Sequence, residues 1–508
     1  MKRNTLLFCF LLFTVIASAQ SNAGKTNNTD SNTDYKKRVL ENTEIDLLSS
    51  FYTQNGENAA VTGGIGSEKL NDFATNITVS IPLNADDVLT IDGTISAYTS
   101  ASSSNLNPFT GASTSTTSGR LVVSGASSSG GGRPGRRPTT TENTTSGSNV
   151  GSPWVASSGA SRSDVWTNGI ISYNHSSNDR NTTYGGNLSV SNEYDYRSFG
   201  AGLSLSHQFN DKNSELGLKG NLYLDKWLPQ YPTELKTYIV NQGNLNVDYF
   251  SGVDILNESG TAINKAGINS WSPLHNYLVT TDNRNTYSVS LSFSQVLGKN
   301  SQLSIFSDLI LQKGWLSNPM QRVYFADRDN YYVGTASSIP NYESPLNRNV
   351  FQLADDIERL PGSRLKIPVG IRYHQYVNEH LVVRTYYRYY SDDWGITAHT
   401  TNIELPIKLG DHFTVYPNYR YYIQTAAKYF APYEQHLSTE EFYTSDYDLS
   451  AFDAQQYGLG MKYTDVFTKG HLGKLGLKSL SLDYGLYIRS TGLKANIISI
   501  GAKFVVDK

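Results

Sequence analysis

The chain has 508 residues, a formal net charge of −3 and a single cysteine. That charge gives no general attraction to nucleic acid, and one cysteine excludes a disulfide framework. Charged residues make up only 17%, while tyrosine occurs 35 times and glycine 42 times; a chain rich in Tyr, Gly, Ser, Thr and Asn and poor in charge suits an all-β fold.

The first element is an export leader. Lys2 and Arg3 form a charged start, "TLLFCFLLFTVIA" is too short to span a membrane as a helix, and Ala17-Ser18-Ala19 offers a small-residue cleavage site before Gln20. Cys9 lies inside that stretch behind the bulky Phe8, which argues against a lipid anchor. The expected leader is 1–19. Residues 20–38 are polar and read as a disordered periplasmic segment, too short for a plug domain. Beyond the leader no apolar run approaches the roughly 20 residues of a membrane helix. An exported chain with no helical anchor is either soluble or a membrane β-barrel. Without a cysteine in the mature chain it has no disulfide and no thiolate metal site.

Residues 39–508 read as the barrel. In "NITVSIPLNADDVLTIDGTISAY" the residues Ile77, Val79, Ile81 and Leu83 share one face with Leu89, Ile91 and Ile95, while Thr78, Ser80, Thr90, Asp92, Thr94 and Ser96 share the other. Alternating segments of this kind recur near Thr43–Gln54, Asp72–Leu83, Val88–Thr99, Ser163–Asn174, Tyr184–Tyr194, Phe199–Phe209, Glu215–Asp225 and Thr286–Val296. They continue near Gln302–Gln312, Arg364–Tyr376, Leu381–Tyr390, Ile396–Leu409, Phe413–Gln424, Gln455–Asp465, Ser479–Arg489 and Lys494–Val506. Most approach the roughly 10 residues of a tilted membrane strand. Pro82, Pro368, Pro406 and Pro417 each remove a ladder hydrogen bond and blur their strands' boundaries.

The connections sort by parity. "NADD", "SSNDRN", "NDKNS", "GKNS", "VNEH" and "LGDH" are short, whereas the long connections precede strands two, four, eight, ten and fourteen. Short periplasmic turns and long extracellular loops are what a bacterial barrel requires. "VFTKGHLGK" is somewhat long for an inner turn. The expected fold is therefore an all-β, transmembrane antiparallel β-barrel of about 16 strands (roughly 14 to 18), in the bacterial outer membrane. Its long outer loops fall at about 100–162, 226–285, 313–363 and 425–454. The final "SIGAKFVV" places Ser499, Gly501, Phe504 and Val506 in the pattern of a C-terminal assembly signal, which implies barrel-assembly machinery as a partner. Outward Tyr194, Tyr287, Tyr387, Tyr389, Tyr419 and Tyr421 map to outer strand ends, and Tyr173 and Phe504 to inner ends, as two aromatic girdles.

Four stretches, "VLENTEIDLLSSFYTQNGENAAVTGGIGSEKL", "VLTIDGTISAYTSASSSNLNPF", "ELGLKGNLYLDKW" and "YPTELK", resemble an uncharacterised domain-of-unknown-function family, 3570, of exported Bacteroidota proteins. The resemblance runs over nearly all the mature chain. It implies an outer-membrane barrel and brings no catalytic residues and no substrate.

The inward face carries the candidate chemistry. Lys366, Arg372, Arg384, Arg388 and Arg420 form a basic wall with Tyr386, Tyr390 and Tyr422, and Glu404 lies among them. Asp46, Asp92, Asp225, Asp308 and Asp483 lie on the remaining wall. A basic wall opposite an acidic one orders water and favours polar solutes, and rings of charge set ion selectivity. The same residues would equally serve as paired braces.

Two loops stand out. Residues 100–162 hold Arg133, Arg136 and Arg137 in a Ser/Thr/Gly-rich stretch with Glu142 the only acid, which reads as a flexible solvated loop or as a contact for lipopolysaccharide phosphates. Residues 231–284, with Tyr249, Phe250 and Trp271, read as an ordered segment that caps the pore or meets an exported protein partner.

No enzyme is expected. "YNHSSND" is similar to the His-any-Ser-Asn core of outer-membrane lipid hydrolases through His175 and Ser177. Asp179 replaces the usual glycine, however, and the motif falls at a periplasmic turn. "ADRDN", with Asp327, Asp329 and Asn330, lacks the ligands of a defined calcium site, and no cofactor is implied. The leading expectation is a porin-like channel for small polar solutes or ions. The alternatives are a non-conducting scaffold or partner-binding barrel, and last a lipid hydrolase.

Overall fold

The computed structural model describes residues 38–99, 164–344 and 350–507. The leader with Ala19, nearly all of the segment 20–38 and the loop carrying Arg133, Arg136, Arg137 and Glu142 lie outside the described residues.

Sixteen antiparallel strands close on themselves. They are β1 (Glu44–Asn55), β2 (Leu70–Pro82), β3 (Asp87–Thr99), β4 (Asp164–Ser176), β5 (Thr182–Asn192), β6 (Tyr196–Phe209), β7 (Ser214–Trp227) and β8 (Asp282–Gly298). Then follow β9 (Ser301–Gly314), β10 (Ser363–Asn378), β11 (Leu381–Asp392), β12 (Thr397–Glu404, continued by Ile407–Leu409), β13 (Phe413–Gln424), β14 (Phe452–Thr464), β15 (Leu475–Arg489) and β16 (Lys494–Val506). Each pairs with its neighbours in sequence, and β16 pairs with β1 to close the wall. Closure leaves no edge with unpaired backbone, the condition for a sheet in lipid.

The alternation of the sequence sets which side each residue faces, because a strand's side-chain period is two. In the first hairpin Asp92 stands opposite Thr78, and Ile91 opposite Val79. Large apolar side chains such as Phe51, Ile171, Leu188, Leu203, Leu291 and Ile500 lie exposed on the outside, where lipid replaces water as their surroundings. Of the prolines, Pro82 ends β2 and Pro406 divides β12. Pro368 sits where the β9–β10 ladder skips from Ser307–Val369 to Ile310–Lys366, because proline has no N–H to give. Pro417 is tolerated inside β13 opposite Leu459.

The aromatic residues of the outside fall mainly into two bands. Tyr287, Tyr387, Tyr389, Tyr419 and Tyr421 lie towards the long-loop end, and Tyr173 and Phe504 towards the short-turn end. Tyr194 departs from the expectation. The Glu193 N–H bonds to the Tyr196 carbonyl, so the chain reverses and Tyr194 falls in the turn after β5 rather than on its outward face. At the opposite end Asn210, Asp211 and Lys212 all take left-handed backbone conformations (φ 54°, 53° and 65°) to reverse the chain between β6 and β7.

The long connections fold onto one another. Segment 228–281 contains helix α1 (Thr233–Val240), entered through Pro232. Ile255–Leu256 from that segment joins Tyr332–Gly334 and Val350–Gln352 in a small three-stranded sheet. Trp271, Phe250, Leu235, Tyr324, Phe351 and Ile357 form a common apolar core. Each such burial contributes on the order of 1.5–3 kcal/mol, so the loops form a domain-like cap. Residues 425–451 are fastened to it by Tyr433 donating to Gln352, Thr444 donating to Glu358, and Tyr443 donating to Asp356.

Candidate functional site

Polar and charged side chains converge in the lumen, inside an apolar outer face, and its two halves differ. At the long-loop end the inward residues Gln54, Trp227, Arg284, Thr286, Gln312, Lys366, Gln424, Gln456 and Arg489 are all buried. Arg489 donates to Asp448 (2.7 Å), and Gln424 donates to the Asp448 and Ser450 carbonyls (3.0 and 2.6 Å), tying β13 and β15 to the cap. Gln54 likewise donates to the Glu68 carbonyl of the first outer loop (2.8 Å). Towards the short turns the inward side chains Asp46, Ser172, Ser204, Glu215, Ser294, His374, Arg384 and Lys503 are partly or fully exposed. An inward side chain of a closed barrel meets water only in the lumen. The lumen is therefore a vestibule open at the short-turn end and roofed at the other.

The roof is pinned by a buried ion pair. Glu234, in the first turn of α1, accepts two bonds from Arg322 (2.6 and 3.1 Å), and both side chains are at most 1% exposed. Arg322 also donates to the Val61 carbonyl (2.6 Å), so three outer loops meet at one guanidinium. Further buried carboxyl groups lie in the same cap. Burial pushes Asp355 up to about 7, Asp356 to about 6 and Glu358 to about 8, and raises Asp446, which also faces Asp448. Burial and the charge of Arg359 push His275 down to about 4. Each of these carboxyls accepts hydrogen bonds in the cap: Asp355 from the Phe325 N–H, Asp356 from Tyr443, Glu358 from Thr444 and the Asn318 N–H, and Asp446 from Gln321.

Within the barrel, the predicted charges fall into three groups. Asp225 and Lys366 face inward but are buried, so neither stands on an open wall; Tyr390 spends its hydroxyl on Asp392 (2.8 Å). A second group is paired or hydrogen-bonded in place. Arg384 meets Glu404 at 2.8 Å, and Lys503 meets Glu44 at 2.7 Å and Asp46 at 3.4 Å. Asp92 accepts from Asn76 (3.0 Å to each oxygen) and from Thr78 (2.6 Å), and Asp483 bonds Tyr416. Asp308 bonds Ser290 and faces Arg372, Arg388 and Lys219. The third group is Arg388 and Arg420, which have no ion-pair or hydrogen-bond partner among the described residues. Arg372 lies 4.8 Å over the Phe306 ring and 5.6 Å over Tyr386. Gly370 makes room for that ring, because a Cβ there would sit 2.2 Å from Phe306. Tyr422 donates to Gln424 (2.5 Å).

Sequence reasoning missed the residues of the roof: Glu234, Arg322, Glu358 and Asp448. Their only local signals were a proline-started helix and scattered loop acids. Asp327 accepts from the backbone and hydroxyl of Ser438 (2.8 and 2.7 Å) and Asn330 donates to Glu434, so "ADRDN" fastens two loops together. No cluster of metal-ligating side chains occurs among the described residues. At the turn between β4 and β5, His175 Nδ1 meets Asp87 (2.5 Å), while the Ser177 hydroxyl donates to Asp179 and accepts from the Thr182 N–H. The serine's hydrogen is directed away from the imidazole, so the pair does not form the nucleophile–base contact.

Comparison with known proteins gave a family and distant likenesses. Residues 12–481 match the family described as "Protein of unknown function (DUF3570)". No curated protein matched the chain. Among solved structures, a "bacterial polysaccharide outer membrane secretin" has a TM-score of 0.39 at 8% identity, covering 93% of this chain and 99% of that one. Pseudomonas aeruginosa OpdK with vanillate has a TM-score of 0.33 at 8% identity, covering 92% and 99%. A BenF-like porin from Pseudomonas fluorescens Pf-5 has a TM-score of 0.36 at 8% identity, covering 92% and 100%.

Proposed function

The chain belongs to the DUF3570 family of proteins of unknown function, and from that premise we propose that it is an outer-membrane channel for small polar solutes or ions, gated at its outer mouth. One observation carries this reading: a lumen lined with water-exposed polar and charged side chains runs beneath a roof made only of connecting loops. A barrel kept purely as a scaffold has no need of such a vestibule, whereas a channel needs both the vestibule and a part that moves. In this reading the short turns face the periplasm, lipid surrounds the apolar belt, lipopolysaccharide surrounds the outer girdle, and assembly machinery reads Ser499 to Val506.

A second reading is a non-conducting barrel whose cap binds an exported partner. The roof's own apolar core favours it, because a fully packed roof blocks passage. Planar-bilayer recording separates the two. The channel reading expects brief openings from the folded protein and long ones once the roof is loosened by Glu234→Ala. Silence from both, with correctly folded barrels, overturns it in favour of the second reading.

A further inference from the structure

We propose that Arg388 and Arg420 form a binding site for a small oxyanion, a carboxylate or a phosphate, at the blind end of the vestibule. The two arginines come from β11 and β13, separated by β12 alone. Arg388 stands opposite Thr400, and Thr400 opposite Tyr422; Tyr386 stands opposite Asn402, and Asn402 opposite Arg420. Between the two guanidinium-bearing strands β12 presents Thr400 and Asn402, flanked by Tyr422 and Tyr386 in the register.

Arg384, Arg364, Arg489 and Arg372, on the same face of their strands, each have a counter-charge or a ring. Arg384 has Glu404, Arg364 has Asp392, Arg489 has Asp448, and Arg372 has Phe306. Arg388 and Arg420 have no ion pair or hydrogen bond among the described residues, and the Arg388 Nε is buried without a partner, with the Asp308 carboxylate in Arg388's field but not bonded to it. Each lies within the other's field. Two like charges held in one wall repel each other, a cost that an anion between them would offset. Planar guanidinium groups offer paired donors that match the two oxygens of a carboxylate or phosphate. Both side chains are only half-buried, so the site opens to the vestibule and fills from the short-turn end.

This inference rests on the channel reading only for its role in transport; the site would bind whether or not solute crosses the roof. The test is arginine footprinting of the folded full chain with phenylglyoxal, with and without inorganic phosphate at constant ionic strength. The expected result is saturable protection of Arg388 and Arg420, with Arg197 on the barrel's outside unprotected. Isothermal titration with phosphate, and separately with acetate, reads the same site. Arg388→Gln and Arg420→Gln should each weaken binding at least tenfold, and Arg388→Lys should restore part of it. Equal modification of all three arginines with and without phosphate, or Gln variants that bind as the wild type does, would overturn the site. The footprint uses the unaltered protein and so stands even if a variant fails to fold. Protection without bilayer current would retain the site and discard the channel; current without protection would do the reverse.

Discussion

The two halves of the lumen are built on the same sixteen strands yet obey different physics. At the long-loop end, inward side chains and the cap are buried, and two of the charges there are held in tight pairs: Arg322 with Glu234, and Arg489 with Asp448. In the inner half, charges stand in or near water, and a pair such as Arg384 with Glu404 is an exposed contact, with side chains 51% and 26% accessible. The difference teaches that orientation along a strand does not decide a charge's role; what covers it does. A buried pair is costly to break because one partner is left unsolvated, whereas an exposed pair is worth little.

That contrast can be broken most forcefully at the roof. Glu234→Ala leaves Arg322 buried without its anion and is expected to cost the cap about 3–5 kcal/mol. Hydrogen exchange should show protection lost in 228–281 and 315–362 while the barrel strands keep theirs. Equal protection in the cap of both proteins would show that the ion pair does not hold the roof.

The next effect is of pH. Asp355, Asp356 and Glu358 have their protonation raised to about 7, 6 and 8 in the folded cap, and Asp446 is raised as well. Where the folded value lies above the unfolded one, stability is greatest below the ordinary carboxylate range of about 4 and is lost as pH rises through the folded values. The cap should therefore loosen between pH 5 and about 8. Its melting, followed by tryptophan fluorescence through the buried Trp271, should fall in temperature across that range; a melting point that stays level or rises would refute the assignment.

Smaller changes sharpen the comparison by leaving the roof alone. Lys212→Gly relieves a left-handed backbone position in the inner turn (φ 65°) and should stabilise the barrel by about 1 kcal/mol. Urea unfolding in detergent micelles measures it, and no gain would mean the turn carries no strain. Arg384→Ala removes an exposed pair and should change stability by about 1 kcal/mol or less, while shifting the reversal potential of any open channel. A large loss of stability with no shift would place Arg384 among the braces rather than on the conducting wall.

The strands were legible because their signals are local. Alternation in "NITVSIPL" and "VLTIDGTISAY" placed Asp92 inside and Ile91 outside, and short polar turns separated the pairs. Tyr194 misled because a reversal at Glu193–Tyr196 leaves no mark in the alternation. Inward placement of Arg388 and Arg420 could be read from period two. Their lack of partners could not, since it depends on neighbours that approach across the barrel at a stagger no single strand reveals.

What the sequence by itself determined is the wall: the number of strands, the parity of short and long connections, and the side each residue faces. Period-two patterning in lipid leaves little freedom there, because a one-residue slip would turn the charged face towards the membrane. Only the tertiary structure decided the roof and the vestibule. Val61, Glu234 and Arg322 meet although 261 residues separate the outermost two, and no local pattern encodes where three loops will pack. That packing decides which lumen charges are sealed and which remain in water.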